Sequence, residues 1–284
     1  MNNKTKEKIV KNTTSEKQNK KQNVSVARKE YLKKQKIRKI SIIFVRVAIL
    51  VLFFALWQVF ADAGIINVFV FSSPAKMLKT LSELIAGGNL FHHIFITFYE
   101  ALLGFVIATV LGFVIAVLLW WNEYVRDCLE PYLIVLNSLP KVALGPIIII
   151  WFGAGTKAIV VMAILIMIII TTISMLNAFV SCSKNKILLM KSMGANKLQI
   201  LTKLVIPNAS AEFMSVLKIN VGMTWVGTIM GEYLVSKAGL GYLIVYGSQV
   251  FKLDLVMTSI LLLCLLAGIM YGAVCLVEKL FFKK

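Results

Sequence analysis

SCSKNKILLMKSMGANKLQILTKLVIPNASAEF, residues Ser181–Phe213, is a polar stretch with five lysines set between two long apolar runs. Gly194 separates two short patches with helix-forming composition, Lys186–Met193 and Ala195–Leu204. A glycine there can take the left-handed conformation that ends one helix and lets the next start at an angle. The apolar pair Leu204 and Ile206 then leads to Pro207, which suits the first turn of a following helix because its missing N–H has no partner there anyway. Taken alone, these residues fit a plain connecting loop equally well, since Gly and Pro punctuate most loops.

What flanks the stretch sets the fold class. The chain has 284 residues, 59% of them hydrophobic, with a mean hydropathy of +0.83, whereas soluble domains use about 45–50% apolar residues. Apolar runs close to the roughly 20 residues of a spanning helix occur at 41–61, 97–121, 129–151, 158–180, 209–234 and 255–277. The expected architecture is therefore all-α, a polytopic membrane bundle of about six transmembrane helices. The third run is broken by Pro140, Gly145 and Pro146. Pro74–Ile85 reads as an amphipathic surface helix capped by Ser72 or Ser73. Gly268 and Gly272, spaced by three, read as a close-packing pair.

Of the net charge of +18, residues 1–40 carry 14 Lys/Arg against 3 Asp/Glu, leaving +11 in one tail. This tail lacks an apolar pattern and is expected to be disordered, cytoplasmic and attracted to anionic lipid headgroups. Nucleic acid is not an expected partner, because Tyr31 is the tail's only aromatic residue for base stacking. Lysines at 184, 186, 191, 197 and 203, with Lys279, Lys283 and Lys284, put residues 181–207 and both termini on one side of the membrane. The positive-inside rule makes that side the cytoplasm, and a multi-pass bacterial plasma-membrane protein is expected. The four cysteines lack metal spacing, and His92 and His93 read as polar loop residues, so neither a metal nor a cofactor is expected.

Polar residues at membrane depth face a bundle interior or a cavity. In the fifth run Glu212, Asn220, Thr224, Thr228 and Glu232 fall mostly at steps of four. The broken third run adds Asn137, Ser138 and Lys141 beside Pro140. Asn137, Ser138, Lys141, Asn220, Thr224, Thr228 and Glu232 are thus candidates to line a translocation path, and a polar packing seam is the competing reading for those of the fifth run. Irregular backbone at such depth is tolerated where it is buried in protein or lines water. Lys141 would attract an anion if it faces the path.

The spacing from Gly194 through Leu204 and Ile206 to Pro207, with Ala195 after the glycine, resembles the cytoplasmic coupling loop of ABC importer permeases. SSPAKML (Ser72–Leu78), LNSLPKVALGPIIIIWFGAG (Leu136–Gly155) and GEYLVSKAGLGYLI (Gly231–Ile244) are similar to the nitrate/sulfonate/taurine subgroup of these permeases. One departure is that Leu188, Leu189 and Met190 stand where the family writes Glu-Ala-Ala. The resemblance implies the type I importer permease fold and a path for a small solute, sulfonate-, taurine- or nitrate-like or a heterocyclic precursor. It further implies an extracytoplasmic solute-binding protein, and coupling to an ATPase through Leu188, Leu189, Met190, Lys191, Gly194, Ala195, Leu204, Ile206 and Pro207. No G-x-x-x-x-G-K-[ST] loop is present, so ATP hydrolysis is expected on a separate subunit. Two docking helices, hence two ATPase copies, follow from that expectation, with the permease pairing with itself or with a homologous chain and a homodimer the favoured form. The alternative is a stand-alone secondary transporter or channel, whose repeats and paired broken helices the sequence does not display.

Overall fold

The computed structural model describes residues 3–281, with side chains over 28–280 except 29, 30 and 39. Lys283 and Lys284, counted above for orientation, lie outside the described residues. The chain divides into two compact units, Met1–Ile66 and Asn67–Lys284.

The first unit is the helix α1 (Asn3–Asp62) with the short turn after it. No Gly or Pro occurs before residue 64, so nothing in the backbone chemistry stops the helix at the border between the basic tail and the first apolar run. Helical backbone therefore covers the tail, where composition points to disorder.

The second unit opens with α2 (Val68–Phe71) and α3 (Pro74–Ala86). Ser73 is the cap of α3: its Oγ accepts from the Lys76 N–H, with Pro74 next in line. After the Gly87–Gly88 break, α4 (Leu90–Trp121) begins seven residues earlier than the apolar run suggests. No Gly or Pro separates Leu90 from Thr97, so the helix continues through His92 and His93, which are helical residues and not part of a loop.

The third run is built as α5 (Glu123–Ser138), a 3₁₀ turn (Lys141–Leu144) and α6 (Gly145–Phe152), bent by 85° at the Pro140 break. Next comes α7 (Thr156–Val180), then α8 (Lys184–Ser192) and α9 (Lys197–Ile200). A π-turn (Leu201–Val205) carries α9 directly into α10 (Ile206–Val235), followed by α11 (Leu240–Gln249) and α12 (Leu253–Phe281). The π-turn has a local cause. Pro207 has no N–H to give the Lys203 carbonyl, and Ile206 N donates to Leu201 O, one residue beyond the α register. Five helices are long and apolar enough to cross a membrane, six if the bent pair is one span, and no strand occurs among the described residues.

Helix α7 is the axis of the second unit and packs along both α4 and α10. Small residues bring the backbones together. A Cβ on Gly227 would stand 2.6 Å from the Ala163 Cα, and one on Gly231 2.9 Å from the Ile159 Cα. On the other side, a Cβ on Gly112 would meet Thr171 at 2.7 Å. Close backbone approach of this kind substitutes for the hydrophobic drive that lipid cannot supply between helices. Gly268 and Gly272 do not act this way: a Cβ at either position meets nothing within 4 Å. Two apolar clusters finish the unit. One lies near the α8–α9 end around Phe179, Met175, Ile200 and Val205; the other joins α11 and α12 to α10 around Trp225, Leu240, Leu255 and Leu263.

Candidate functional site

The loop between α7 and α10 is built from two reciprocal caps. Gly194, at φ +80°, is the left-handed residue past α8. Ala195 N donates to Met190 O (3.0 Å) and Gly194 N to Lys191 O (3.0 Å), so the last carbonyls of α8 are satisfied by a Schellman turn. Two residues later Asn196 and Gln199 form a capping box: Gln199 N donates to Asn196 Oδ1 (2.8 Å), and Asn196 N to Gln199 Oε1 (2.9 Å). The angle between α8 and α9 is therefore set by hydrogen bonds on both sides of one glycine.

The faces of α8 then separate. Ile187 and Met190 turn inward onto the Phe179 cluster, where Ala195, Leu204 and Ile206 also pack. Leu188 (66% exposed), Leu189 (61%) and Met193 (76%) point away from the chain. Of the three residues expected as apolar anchors, Leu188 and Leu189 are outward and Met190 is inward, while Met193, not singled out by the spacing, joins the outward face. Lys191 is exposed, and Pro207 lies at the start of α10.

The polar residues of α10 are gathered inside the bundle. Asn220 is fully buried; its Nδ2 donates to Thr171 Oγ1 (2.9 Å) on α7 and Thr109 Oγ1 (3.1 Å) on α4. Thr224 Oγ1 donates back to Asn220 O (2.7 Å) and touches the Met167 sulfur at 2.8 Å. Thr228 is buried, and its hydroxyl has no partner among the described residues. Glu212, one of the polar series, is instead exposed.

Glu232 closes the series at the far end, with 1% of its surface exposed. Its Oε1 accepts from Thr97 Oγ1 (2.6 Å) and its Oε2 from the Gly241 N–H. The neighbouring amides are held in the same way: Leu240 N donates to Thr97 Oγ1 (2.8 Å) and Gly239 N to His93 Nδ1 (2.9 Å). Three successive N–H groups at the start of α11 are thus satisfied by side chains of α4 and α10, where a helix leaves its first amides unpaired. Gly241 leaves room for the carboxylate, since a Cβ there would come within 2.6 Å of Glu232 Oε2. Glu100, also 1% exposed, lies beside Glu232 and Thr156, and its Oε2 has no partner among the described residues. His93 is expected from the sequence to be a polar loop residue, and Thr97 and Glu100 are not among the expected site residues. A carboxylate inside the apolar run of α4 is itself the signal, because charges at membrane depth are rare.

Asn137, Ser138 and Lys141 form a second, separate group at the α5–α6 bend, and all three remain accessible. Lys141 Nζ donates to Asn137 O (3.0 Å), a carbonyl freed by the break, and Ser138 Oγ donates to Ile134 O (3.1 Å). Among the described residues no group of three or more His, Cys, Asp or Glu could hold a metal ion.

Comparison with known proteins agrees with this construction. A protein of Haemophilus influenzae named "Probable ABC transporter permease protein" is 28% identical over 222 residues, covering 77% of this chain and 89% of that protein. The taurine transport system permease protein TauC of Escherichia coli is 24% identical over 217 residues, covering 74% and 78%. The solved inward-facing MetNI methionine ABC transporter is similar in fold, with a TM-score of 0.59 at 18% identity over 68% of this chain and 96% of that chain. Residues 108–283 match the model of the binding-protein-dependent transport system inner membrane component, a span that takes in the α7 axis, the capped loop and Glu232, with His93, Thr97 and Glu100 lying before it. The chain belongs to that family, the membrane-spanning permeases of ABC importers.

Proposed function

We propose that this permease is driven by a separate ATPase that docks on the outward face of α8, with Leu188, Leu189 and Met193 as apolar anchors. The observation that carries the reading is the exposure of these apolar side chains on a short helix whose angle is fixed by the Gly194 turn. A short helix with one exposed apolar face is suited to insertion in a groove of a partner. Movement of the ATPase would reach the spans through α9, the π-turn and α10, which form one continuous path of backbone. Lysines at 184, 186, 191, 197 and 203 support a cytoplasmic position for this loop, with both termini on the same side. Two such helices, one from each protomer of a permease homodimer, would engage two ATPase copies, and a solute-binding protein would deliver the cargo from outside.

For the path, the accessible group Asn137, Ser138 and Lys141 supplies the polar lining, and the ammonium of Lys141 favours a small anionic solute. Likeness to a taurine permease supports a solute of the sulfonate or taurine type. Asn220, Thr224, Thr228 and Glu232, buried between helices, hold the wall together behind that lining.

The test is co-purification of the ATPase subunit of this chain's own system with membrane-inserted permease, beside uptake of labelled taurine. Leu188→Glu and Leu189→Glu each place a charge in the proposed apolar contact and are expected to lower ATPase recovery about tenfold or more, the effect of at least ~1.4 kcal/mol. Wild-type recovery and uptake in both variants would remove the docking role. Normal ATPase recovery by the wild type with no taurine uptake would leave the docking role intact and replace the solute.

A further inference from the structure

Along the face of α8 that carries Lys184, Ile187 and Lys191 lies a cavity of about 370 Å³ bordered by the ends of α4 and α7, the start of α5, and α8 with α9. Its floor is apolar and partly aromatic, made by Trp120, Phe179, Ile187 and Ile200. Its walls carry four cations, Arg126, Lys184, Lys191 and Lys197, against the single anion Glu123.

The four cations differ in what already holds them. Arg126 is engaged by Asp127 at 2.9 Å. Lys197 lies over the Trp121 ring, 5.5 Å from its centroid, and donates to the Trp121 carbonyl. Lys184 and Lys191 form no ion pair among the described residues. Two lysines without an ion pair therefore line one cavity whose walls carry more cations than anions. Like charges gathered in this way repel unless an anion enters.

We infer that this cavity holds the phosphate headgroup of an anionic membrane lipid, with Lys184 and Lys191 as its principal cations and the Trp120–Phe179 floor against the glycerol and first acyl carbons. Phosphate is the chemistry the charges select; the lipid is the source the floor selects, because a free ion gains nothing from aromatic and aliphatic walls. The position agrees. Trp120 and Trp121 end a spanning helix, where tryptophans mark the bilayer interface, and basic pockets between spans on the cytoplasmic side suit anionic headgroups. The lipid would brace the inner face of α8 while its outer face remains free. The inference shares the orientation proposed above, but lipid retention is read without the ATPase, so either can fail alone.

The experiment uses the full chain in nanodiscs of phosphatidylcholine with a minor fraction of phosphatidylglycerol, with retained lipids counted by native mass spectrometry. The wild type is expected to keep phosphatidylglycerol in preference to phosphatidylcholine of the same chain length. Lys184→Ala with Lys191→Ala should weaken that retention about thirtyfold, from about 1 kcal/mol for each lysine. Lys237→Ala with Lys252→Ala removes two charges elsewhere and should retain the lipid. Millimolar inorganic phosphate should not displace it. Equal retention by the wild type and the Lys184/Lys191 variant, or equal loss in the control pair, would overturn the site. Displacement by inorganic phosphate would overturn the lipid as its ligand. If the double variant does not insert, the wild-type comparison of the two lipids decides: no preference overturns the site.

Discussion

Asn220 and Gly227 lie seven residues apart on one helix and stabilise the bundle by different physics. Asn220 ties three helices through Thr171 and Thr109 at 2.9 and 3.1 Å. Interhelical hydrogen bonds of this type contribute about 0.6–2 kcal/mol in membranes, so Asn220→Leu should lower stability by about that amount. Asn220→Asp should be worse, since an unpaired charge at this depth costs about 2.5–3.5 kcal/mol. Unfolding of the two variants in detergent checks the order; an Asp variant as stable as the wild type would mean that Asn220 meets water. Gly227 acts by absence. A methyl there would stand 2.6 Å from the Ala163 Cα, and a backbone atom cannot swing aside. Gly227→Ala should therefore separate α7 from α10 and cost about 1–3 kcal/mol. Gly268→Ala, where nothing lies within 4 Å, should be neutral or stabilise the isolated chain through the higher helix propensity of alanine. Both are read by the same unfolding measurement.

Among the elements, the α8–α9 corner turns on Gly194, with the Asn196–Gln199 capping box beside it. Gly194 at φ +80° supplies both amides of the Schellman turn with their register. Gly194→Val forces a β-branched residue into the left-handed region at a cost of about 1–3 kcal/mol, whereas Gly194→Asn tolerates that region better. ATPase recovery should fall in the order Gly, Asn, Val while insertion of the spans is unchanged; equal recovery in all three would show that the angle between α8 and α9 is not what the partner reads. The corner was legible in the sequence because a glycine between two helical patches has few alternatives. Spanning helices were legible for the same kind of reason, as length and hydropathy leave little choice in lipid. The Glu232 clamp was not. It depends on His93 and Thr97 from one helix meeting Gly239 and Leu240 more than 140 positions later, and periodicity within one helix carries no information about such a pairing. The inward turn of Met190 was hidden likewise. In a nine-residue helix with apolar residues at four successive positions, 187–190, only the packing of the Phe179 cluster selects which of them face in.

At the scale of the whole molecule, charge is distributed unevenly: residues 1–40 hold +11 of +18, ahead of the first apolar run. A basic segment beside a span sets its orientation during insertion and is drawn to the anionic inner leaflet by about 1 kcal/mol per Lys or Arg near the surface. The helix α1 joins this segment to the first span without a break, and it belongs to a unit separate from the one that carries the α7 axis, the corner and the Glu232 clamp. A role in insertion is the one expected of such a segment. Deleting residues 2–36 should lower the amount of correctly inserted chain severalfold and leave uptake per inserted molecule within about twofold of wild type. Protease accessibility of the C-terminus in inside-out vesicles measures the first quantity, and uptake normalised to inserted chain the second. Replacing the tail by an unrelated segment with the same Lys/Arg count should restore insertion, because the positive-inside effect reads charge and not sequence. Normal insertion of the deleted chain with uptake abolished would assign the tail a direct part in transport.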